Sequence, residues 1–155
     1  MRYEGLSPAC PMLALVTALL SVGLVACNKG TPVVTSIEFD GKRRSIETTH
    51  VVCTKQPTGG MVILVDGGHK RTVRIQLSQE GRLAVQKAGL RHDDLAGFVA
   101  DAQEVTATKV DDTYTFIGRM PPNPGESQWH TFKIETTCPS YQDALPSGNP
   151  PQGVP

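Results

Sequence analysis

Short segments in which apolar and polar residues alternate restrict the fold of this chain more than any other feature. A period of two is the pattern of a strand with one face on a core and the other in water. The predicted inward residues are Val73, Ile75 and Leu77 of TVRIQLS, Tyr114 and Phe116 of TYTFIG, and Phe132, Ile134, Thr136 and Cys138 of TFKIETTC. Turn dipeptides typical of hairpins separate such segments, at Asp40-Gly41, Gly67-Gly68 and Asp111-Asp112.

These strands and turns predict an all-β fold. The segment MVILVD (61–66) is apolar almost throughout and predicts a central strand. Seven to nine strands at this spacing favour a small antiparallel β-sandwich or a strongly curved sheet. With 155 residues, of which 5% are aromatic, the chain holds one domain with a modest core. Its 15 basic and 15 acidic residues balance, so the charge does not point to a nucleic-acid partner.

One segment of the predicted domain, DDLAGFVADAQE (93–104), fits two structures. Its apolar residues Leu95, Phe98 and Val99 have helical spacing, and Asp93 is suited to cap the start of a helix. Gly97 disfavours a helix by about 1 kcal/mol relative to alanine, and LAGFVA is equally suited to a short strand. Periodicity does not decide between them, so the predicted all-β fold includes at most one short helix.

The N-terminal segment predicts export and lipidation. The apolar run Met12–Ala26 is shorter than the roughly 20 residues that span a bilayer, and it fits the apolar part of a signal peptide. A signal anchor retained in the membrane is the alternative. The run ends in LVAC (24–27), which resembles the bacterial lipobox, where the cysteine is acylated and becomes the new N-terminus. Two or three acyl chains, including palmitate, on Cys27 would hold the protein stably at the extracytoplasmic face of the cell membrane.

The sequence therefore divides into four parts. We expect a signal peptide at 1–26, a lipidated N-terminus and tether at 27–35, and a β-domain at 36–138. The remaining residues, 139–155, contain five prolines without periodicity, and this composition predicts a disordered tail.

Two cysteines of the predicted domain favour a disulfide bond. With Cys10 in the signal peptide and Cys27 acylated, Cys53 and Cys138 form an even pair in a secreted chain. In the chain-entropy description, closing a loop of this length stabilises the fold by about 4 to 5 kcal/mol. The four histidines show no metal-binding spacing, so we expect no metal site and no cofactor.

Motifs for catalysis are not evident in the sequence. A nucleophilic hydrolase needs a Ser or Cys near a histidine that an acid orients, and the chain contains no G-x-S-x-G. His92 stands beside Asp93 and Asp94, but a solvated loop explains this cluster. We therefore expect no catalytic residues and no enzymatic activity.

An alternative to a presentation domain is a carrier of a lipid or another small apolar ligand across the cell envelope. A cavity between the sheets would serve this purpose. Its expected lining is MVILV together with Phe98, Phe116, Ile117, Trp129 and Phe132. The same residues are also suited to fill a solid core. Trp129 and His130 follow the loop PPNPGESQ, where an exposed tryptophan would be a contact point and a core or rim tryptophan is the simpler expectation.

The order of several motifs resembles that of the mycobacterial lipoprotein antigens of the LpqH type, the 19 kDa lipoprotein antigens. The resemblance begins at the lipobox and covers about one hundred residues. It continues in IEFDGKRRSI, VVCT (51–54), VTATKVDDTYTFIGRM (105–120) and FKIETTCP (132–139). It implies a lipidated surface β-domain in which Cys53 pairs with Cys138, and it implies a strand at 95–100.

The resemblance also implies a role. Such lipoproteins are surface antigens whose acylated N-terminus is an agonist of the host innate receptor TLR2, and some are O-glycosylated in a long Ser/Thr-rich linker. In this chain the tether region offers only Thr31, Thr35 and Ser36 for glycosylation. The expected function is that of a lipid-anchored antigen that binds or presents at the bacterial surface.

Overall fold

The computed structural model describes residues 30–78 and 81–144 and shows an all-β protein, as predicted. Eleven strands are present among these residues. They are β1 (Val33–Phe39), β2 (Lys42–Thr48), β3 (Val51–Lys55), β4 (Met61–Asp66), β5 (Arg71–Ser78), β6 (Ala84–His92), β7 (Leu95–Val99), β8 (Val105–Val110), β9 (Thr113–Met120), β10 (His130–Thr137) and β11 (Tyr141–Asp143). Within the described residues, no helix is long and apolar enough to cross a membrane.

The strands form two sheets that pack face to face as a β-sandwich. One sheet has five strands in the order β2-β1-β10-β9-β8, and the other has six in the order β11-β3-β4-β5-β6-β7. All neighbouring strands are antiparallel except β11, which runs parallel to β3. The largest fully buried side chains come from both sheets, and they include Tyr114, Phe116, Ile37, Ile46, Met61, Ile63 and Ile75.

The predicted inward residues of the alternating segments are confirmed. Their side chains are at most 3% exposed, and they are Val73, Ile75, Leu77, Tyr114, Phe116, Phe132, Ile134, Thr136 and Cys138. The apolar segment of β4 also alternates, because Met61, Ile63 and Val65 are buried whereas Leu64 is 39% exposed on the outer face. Its central position between β3 and β5 is confirmed.

The turns form at the predicted dipeptides because these residues accept a left-handed backbone. Asp40 and Gly41 have φ of 48° and 75°, as two-residue hairpin turns of the primed type require. Asp111, in the turn between β8 and β9, has φ of 52°. Asx and glycine residues reach this region at the lowest cost among the amino acids.

The segment that fits either a helix or a strand is the strand β7, as the family resemblance implies. Gly97 faces inward and lies so close to Met120 and Phe39 that a β-carbon there would collide with the sulfur of Met120. Phe98 points outward and is 55% exposed. The helical spacing of the apolar residues is therefore coincidental, since Phe98 does not belong to the core.

The folded region extends beyond the predicted 36–138 at both ends. β1 begins at Val33, where Val33 and Thr35 are buried, and β11 lies within the predicted tail. Neither β11, with three residues, nor β2, with one buried residue in seven, has the alternation that reveals a strand. This is why seven to nine strands were expected from the sequence and eleven are found. The predicted signal peptide, Cys27 and the tail from residue 145 lie outside the described residues.

The disulfide joins the two sheets. Cys53 lies in β3 of the six-stranded sheet, and Cys138 follows β10 of the five-stranded sheet. Their Cα atoms are 5.9 Å apart across a sequence separation of 85 residues, and both side chains are buried. The predicted pairing is therefore present in the folded domain.

Edge strands of the two sheets carry features that discourage further strand pairing. Lys42, Arg43 and Arg44 make β2 a cationic edge, and charged side chains are a common device on exposed edges. At the edge strand β7, the side-chain amide of Asn123 donates a hydrogen bond of 2.9 Å to the carbonyl oxygen of Ala96.

We expect the glycines of the sheets to differ sharply in their tolerance of a β-carbon. At Gly118 in β9, a β-carbon would collide with the carbonyl oxygen of Glu104 and lie 2.9 Å from Cα of Val105. Gly118→Ala should therefore lower the free energy of unfolding by about 1 to 3 kcal/mol, as overpacking does. Gly89→Ala is the matched control, because its β-carbon would meet Phe98 at an ordinary 3.4 Å. Urea unfolding should show little loss for the control, and equal losses would contradict this packing.

A second prediction concerns a buried pair of hydroxyl groups. The side-chain oxygens of Thr35 and Thr136 lie 2.7 Å apart in the core. Thr35→Val alone leaves the hydroxyl of Thr136 without its partner and should cost about 1 to 3 kcal/mol of stability. Replacing both residues by valine should cost less than the sum of the single changes, as measured by a double-mutant cycle in urea. Additive losses would show that the two hydroxyls do not depend on each other.

Candidate functional site

The predicted cluster of His92, Asp93 and Asp94 lies at the turn between β6 and β7. The expectation of a solvated loop is wrong for His92, which is 6% exposed and whose Nε2 lies 3.2 Å from the carbonyl oxygen of Ser45. Its Nδ1 lies 3.3 Å from a carboxylate oxygen of Asp93 without meeting hydrogen-bond geometry. His92 was missed as a core residue because the two aspartates that follow it suggest a solvated loop, although it is the last residue of β6 and is buried.

Asp93 is held by Arg71 rather than by a histidine. The guanidinium donates two hydrogen bonds to its carboxylate, at 3.1 and 3.2 Å. These hydrogen bonds are the main cause that lowers the pKa of Asp93. The cluster therefore connects the β6–β7 turn to β5 and, through His92, to β2. These contacts suit the cluster to a structural role.

His130 is the centre of a second cluster, at the start of β10 and beside the turn between β1 and β2. Its Nδ1 lies 2.7 Å from Oδ2 of Asp40, and its Nε2 lies 2.6 Å from Oε2 of Glu126. A histidine can donate from both nitrogens only as the imidazolium. The ring also stacks on Phe39, with 4.9 Å between the centroids. His130 thus connects the β1–β2 turn to the loop 121–129, and we call this arrangement the histidine clamp.

The charges of the histidine clamp stabilise one another. Hydrogen bonds to Asp40 and then to Glu126 raise the pKa of His130. For Asp40, burial acts to raise the pKa, but the hydrogen bonds from His130 and the amide of Thr131 outweigh it and lower the pKa. The pKa of Glu126 is lowered by its hydrogen bond from His130 and then by that from the amide of Asn123. These shifts in pKa favour the ionised form of all three groups.

The loop that the histidine clamp fixes displays Trp129. The indole is 48% exposed, so the tryptophan lies at the rim rather than in the core. The guanidinium carbon of Arg119 lies 5.3 Å from the ring centroid, a cation–π distance. Arg119 is held in turn by Glu104, whose carboxylate accepts hydrogen bonds of 2.8 to 3.1 Å from it. An exposed aromatic ring on a fixed loop is a contact surface of the kind that protein interfaces use.

The hydroxyl groups of two tyrosines meet near the disulfide. The hydroxyl of Tyr141 donates to Asp112 at 2.8 Å and lies 3.2 Å from the hydroxyl of the buried Tyr114. The ammonium group of Lys109 lies 5.5 and 5.6 Å from the two ring centroids. Burial, followed by these hydrogen bonds, raises the pKa of Tyr141 above its ordinary value. The cluster fastens β11 to the turn between β8 and β9.

The apolar residues predicted to line a cavity do not share one. Met61, Ile63, Val65, Phe116 and Phe132 are buried in the core between the sheets. Phe98, Ile117 and Trp129 are 48 to 55% exposed and lie outside it. A cleft of about 510 Å³ lies on the outer face of the five-stranded sheet and is lined by polar and charged residues such as Arg43, Lys133 and Glu135. In residues 30–78 and 81–144, no group of three or more His, Cys, Asp or Glu side chains is arranged so that it could hold a metal ion.

Sequence reasoning missed the histidine clamp. Asp40 and His130 are 90 residues apart, and only the pairing of β1 with β10 brings them together. The available signals were an Asp in a predicted turn and a histidine beside the one tryptophan, neither of which specifies a partner.

We expect the histidine clamp to make stability depend on pH with a definite sign. The raised pKa of His130 contributes stability that is complete below about pH 6.5 and is lost as the pH rises through the folded-state value. The lowered values of Asp40 and Glu126 contribute stability that is complete above about pH 4.5 and is lost as the pH falls. The stabilisation is therefore greatest from about pH 5 to 6.5.

His130→Gln tests this expectation, because glutamine keeps hydrogen-bonding groups but does not ionise. The stability difference between the parent chain and the variant should be largest near pH 6 and should shrink towards pH 9 in urea unfolding curves. His50→Gln is the control, since His50 is an exposed residue of the β2–β3 turn. A difference that does not vary with pH would contradict an ionised clamp.

Comparison with known proteins agrees with the motifs of the sequence. The family model of the Mycobacterium 19 kDa lipoprotein antigen matches residues 28–138. A search of curated proteins found no match. The family match spans more than half of the chain and includes both cysteines of the disulfide and the histidine clamp. The chain therefore belongs to the Mycobacterium 19 kDa lipoprotein antigen family.

Proposed function

We propose that the chain is a lipid-anchored antigen that presents a rigid β-sandwich on the extracytoplasmic face of the cell membrane. The observation that carries this proposal is the family match, which begins at residue 28, directly after the lipobox cysteine. Cys27 is the proposed acylated residue, and 1–26 are the proposed signal peptide. The family is one of membrane-associated lipoprotein antigens of the cell envelope.

The geometry of the N-terminus supports an anchor close to the domain. From Cys27 to the start of β1 at Val33 the chain advances six residues, which span at most about 20 Å when fully extended. An anchor at Cys27 would therefore keep the sandwich next to the bilayer. The disulfide between Cys53 and Cys138 also supports export, because such bonds persist in oxidising compartments.

The proposed action is presentation and binding rather than catalysis. The family is one of antigen lipoproteins and not a known enzyme family. The carboxylate of Asp93 accepts hydrogen bonds from Arg71, Nε2 of His92 lies 3.2 Å from the carbonyl oxygen of Ser45, and both cysteines of the domain are in a disulfide, so these groups have structural partners. The acylated N-terminus is the proposed ligand of the host receptor TLR2, and Trp129 on its fixed loop is the proposed contact point of the folded domain.

The alternative of a lipid carrier has less support. A carrier needs an apolar cavity that encloses most of its ligand. Three of the described clefts lie on outer faces or at loops and have substantial polar linings. A fourth, beside Phe98, is more apolar but is an open hollow bordered by Arg74 and Lys87. Glycosylation of the tether also has few sites, because Thr35 is fully buried and its hydroxyl is paired with Thr136. Thr31 and Ser36 are the exposed hydroxyl residues among those considered.

Intact mass of the protein extracted from membranes in detergent tests the proposal. We expect a mass that begins at Cys27 and includes two or three acyl chains, with a gain of two hydrogens on reduction of the disulfide. Cys27→Ala should abolish acylation. The variant should then either lose the signal peptide and leave the membrane, or retain residues 1–26. A parent chain that retains residues 1–26 without acyl groups would contradict lipidation and support a signal anchor.

The proposed receptor role has its own test. In reporter cells that express TLR2, the acylated parent protein should give a response, and the unacylated Cys27→Ala protein should give none. Trp129→Ala is the control for the folded domain, since it leaves Cys27 intact. An equal response to the parent and to Cys27→Ala would contradict a role of the acyl chains.

A further inference from the structure

The outer faces of the two sheets differ in charge. On the six-stranded sheet, the outward positions include the cations Arg74, Lys87 and Arg91. Among the residues of its described strands, the one outward acid is Asp66 at the end of β4. Oδ1 of Asp66 accepts a hydrogen bond of 2.8 Å from the amide of Gly68. Within the part of the chain that the structure describes, the three cations form no ion pair.

The outer face of the five-stranded sheet is balanced instead. Its outward cations alternate with acids across the strands, and these residues are Glu38, Arg43, Glu47, Arg119, Lys133 and Glu135. Arg43 pairs with Glu38 at 3.5 Å, and Arg119 pairs with Glu104 at 2.8 Å. A chain whose overall charge is zero therefore has one face with an excess of positive charge.

The cationic face also exposes apolar surface. Phe98 is 55% exposed and Leu64 is 39% exposed. The outward residues Val52 of β3 and Val62 of β4 are half-buried on the same face. Phe98 lies across from Gly89, where the missing side chain leaves a hollow of about 330 Å³. Arg74 and Lys87 border this hollow, so cations flank the exposed ring.

We propose that this face, defined by Leu64, Arg74, Lys87, Arg91 and Phe98, docks on the anionic surface of the bilayer that holds the anchor. Unpaired cations complement anionic headgroups, and aromatic and aliphatic side chains enter the interface between headgroups and acyl chains. This inference rests on the proposed function, because the short connection to Cys27 keeps the sandwich within about 20 Å of that surface. The docked face would be hidden, and the opposite sheet would face away from the cell.

Tryptophan reporters in the full chain test the docking. Trp129 is the one tryptophan of the chain, so Trp129→Phe provides a silent background. Phe98→Trp then places a reporter on the proposed face, and Ile117→Trp is the matched control because Ile117 is 53% exposed on the other sheet. Each protein is reconstituted into vesicles that contain brominated phosphatidylcholine, with or without phosphatidylglycerol, and quenching by bromine is measured.

The expected result is strong quenching of the reporter at residue 98 in vesicles with phosphatidylglycerol, and weak quenching at residue 117. Removal of two cations in Arg74→Gln/Lys87→Gln should lower the ratio of docked to undocked protein by roughly 25-fold, since each surface cation contributes about fivefold. Arg43→Gln/Lys133→Gln removes the same charge from the other sheet and should leave the quenching at residue 98 unchanged.

Three results would overturn the docking proposal. They are quenching at residue 117 that equals or exceeds that at residue 98, quenching that does not depend on phosphatidylglycerol, and an absence of quenching at both positions in protein that floats with the vesicles. The last result would indicate that this face binds a soluble partner and not the bilayer. Failure of the lipid anchor can be distinguished from failure of docking, because flotation and intact mass report the anchor directly. If residues 12–26 hold the chain in the membrane instead, the same quenching experiment still tests the docking.

Discussion

The bond between Cys53 and Cys138 links the two sheets at one end of the sandwich. Cys138 is followed at once by the turn into β11, which pairs with β3 so that Tyr141 lies opposite Cys53. Tyr141 then reaches Asp112 and Tyr114 of the five-stranded sheet. The covalent link, the last strand and the tyrosine contacts therefore reinforce one another. A domain of about one hundred residues buries a limited core, and such links offset that limit.

Much of the fold was accessible from the sequence because a period of two identifies a strand and its inward face without any knowledge of its partner. The inward residues of β5, β9 and β10 and the turn at Asp40-Gly41 were predicted in this way. The same logic fails for β2 and β11, which have few buried residues. It also fails for β7, where helical and extended spacing coincide and only the packing of Gly97 against Met120 decides the matter.

The candidate sites were less accessible, since they depend on register between distant strands. The disulfide followed from counting cysteines in a chain predicted to be exported, which needs no geometry. By contrast, the histidine clamp requires that β1 pair with β10, because this alone places Asp40 beside His130. His92 was misjudged because its neighbours Asp93 and Asp94 suggest a wet loop, although the strand continues one residue into the core. The uneven charge of the two faces was hidden by a net charge of zero.

The features that discourage strand pairing at the sheet edges matter when copies of the protein are crowded together. Molecules anchored in one membrane move in two dimensions and meet at high local concentration, which favours pairing between exposed strands. In β2, the cations Lys42, Arg43 and Arg44 repel the same edge of a neighbouring copy. In β7, the carbonyl oxygen of Ala96 already accepts a hydrogen bond from the side chain of Asn123. The three-residue β11 offers little length for a ladder. In a dense layer of such sandwiches, these three edges resist pairing, and among the edges of the two described sheets contact between strands is left mainly to β8.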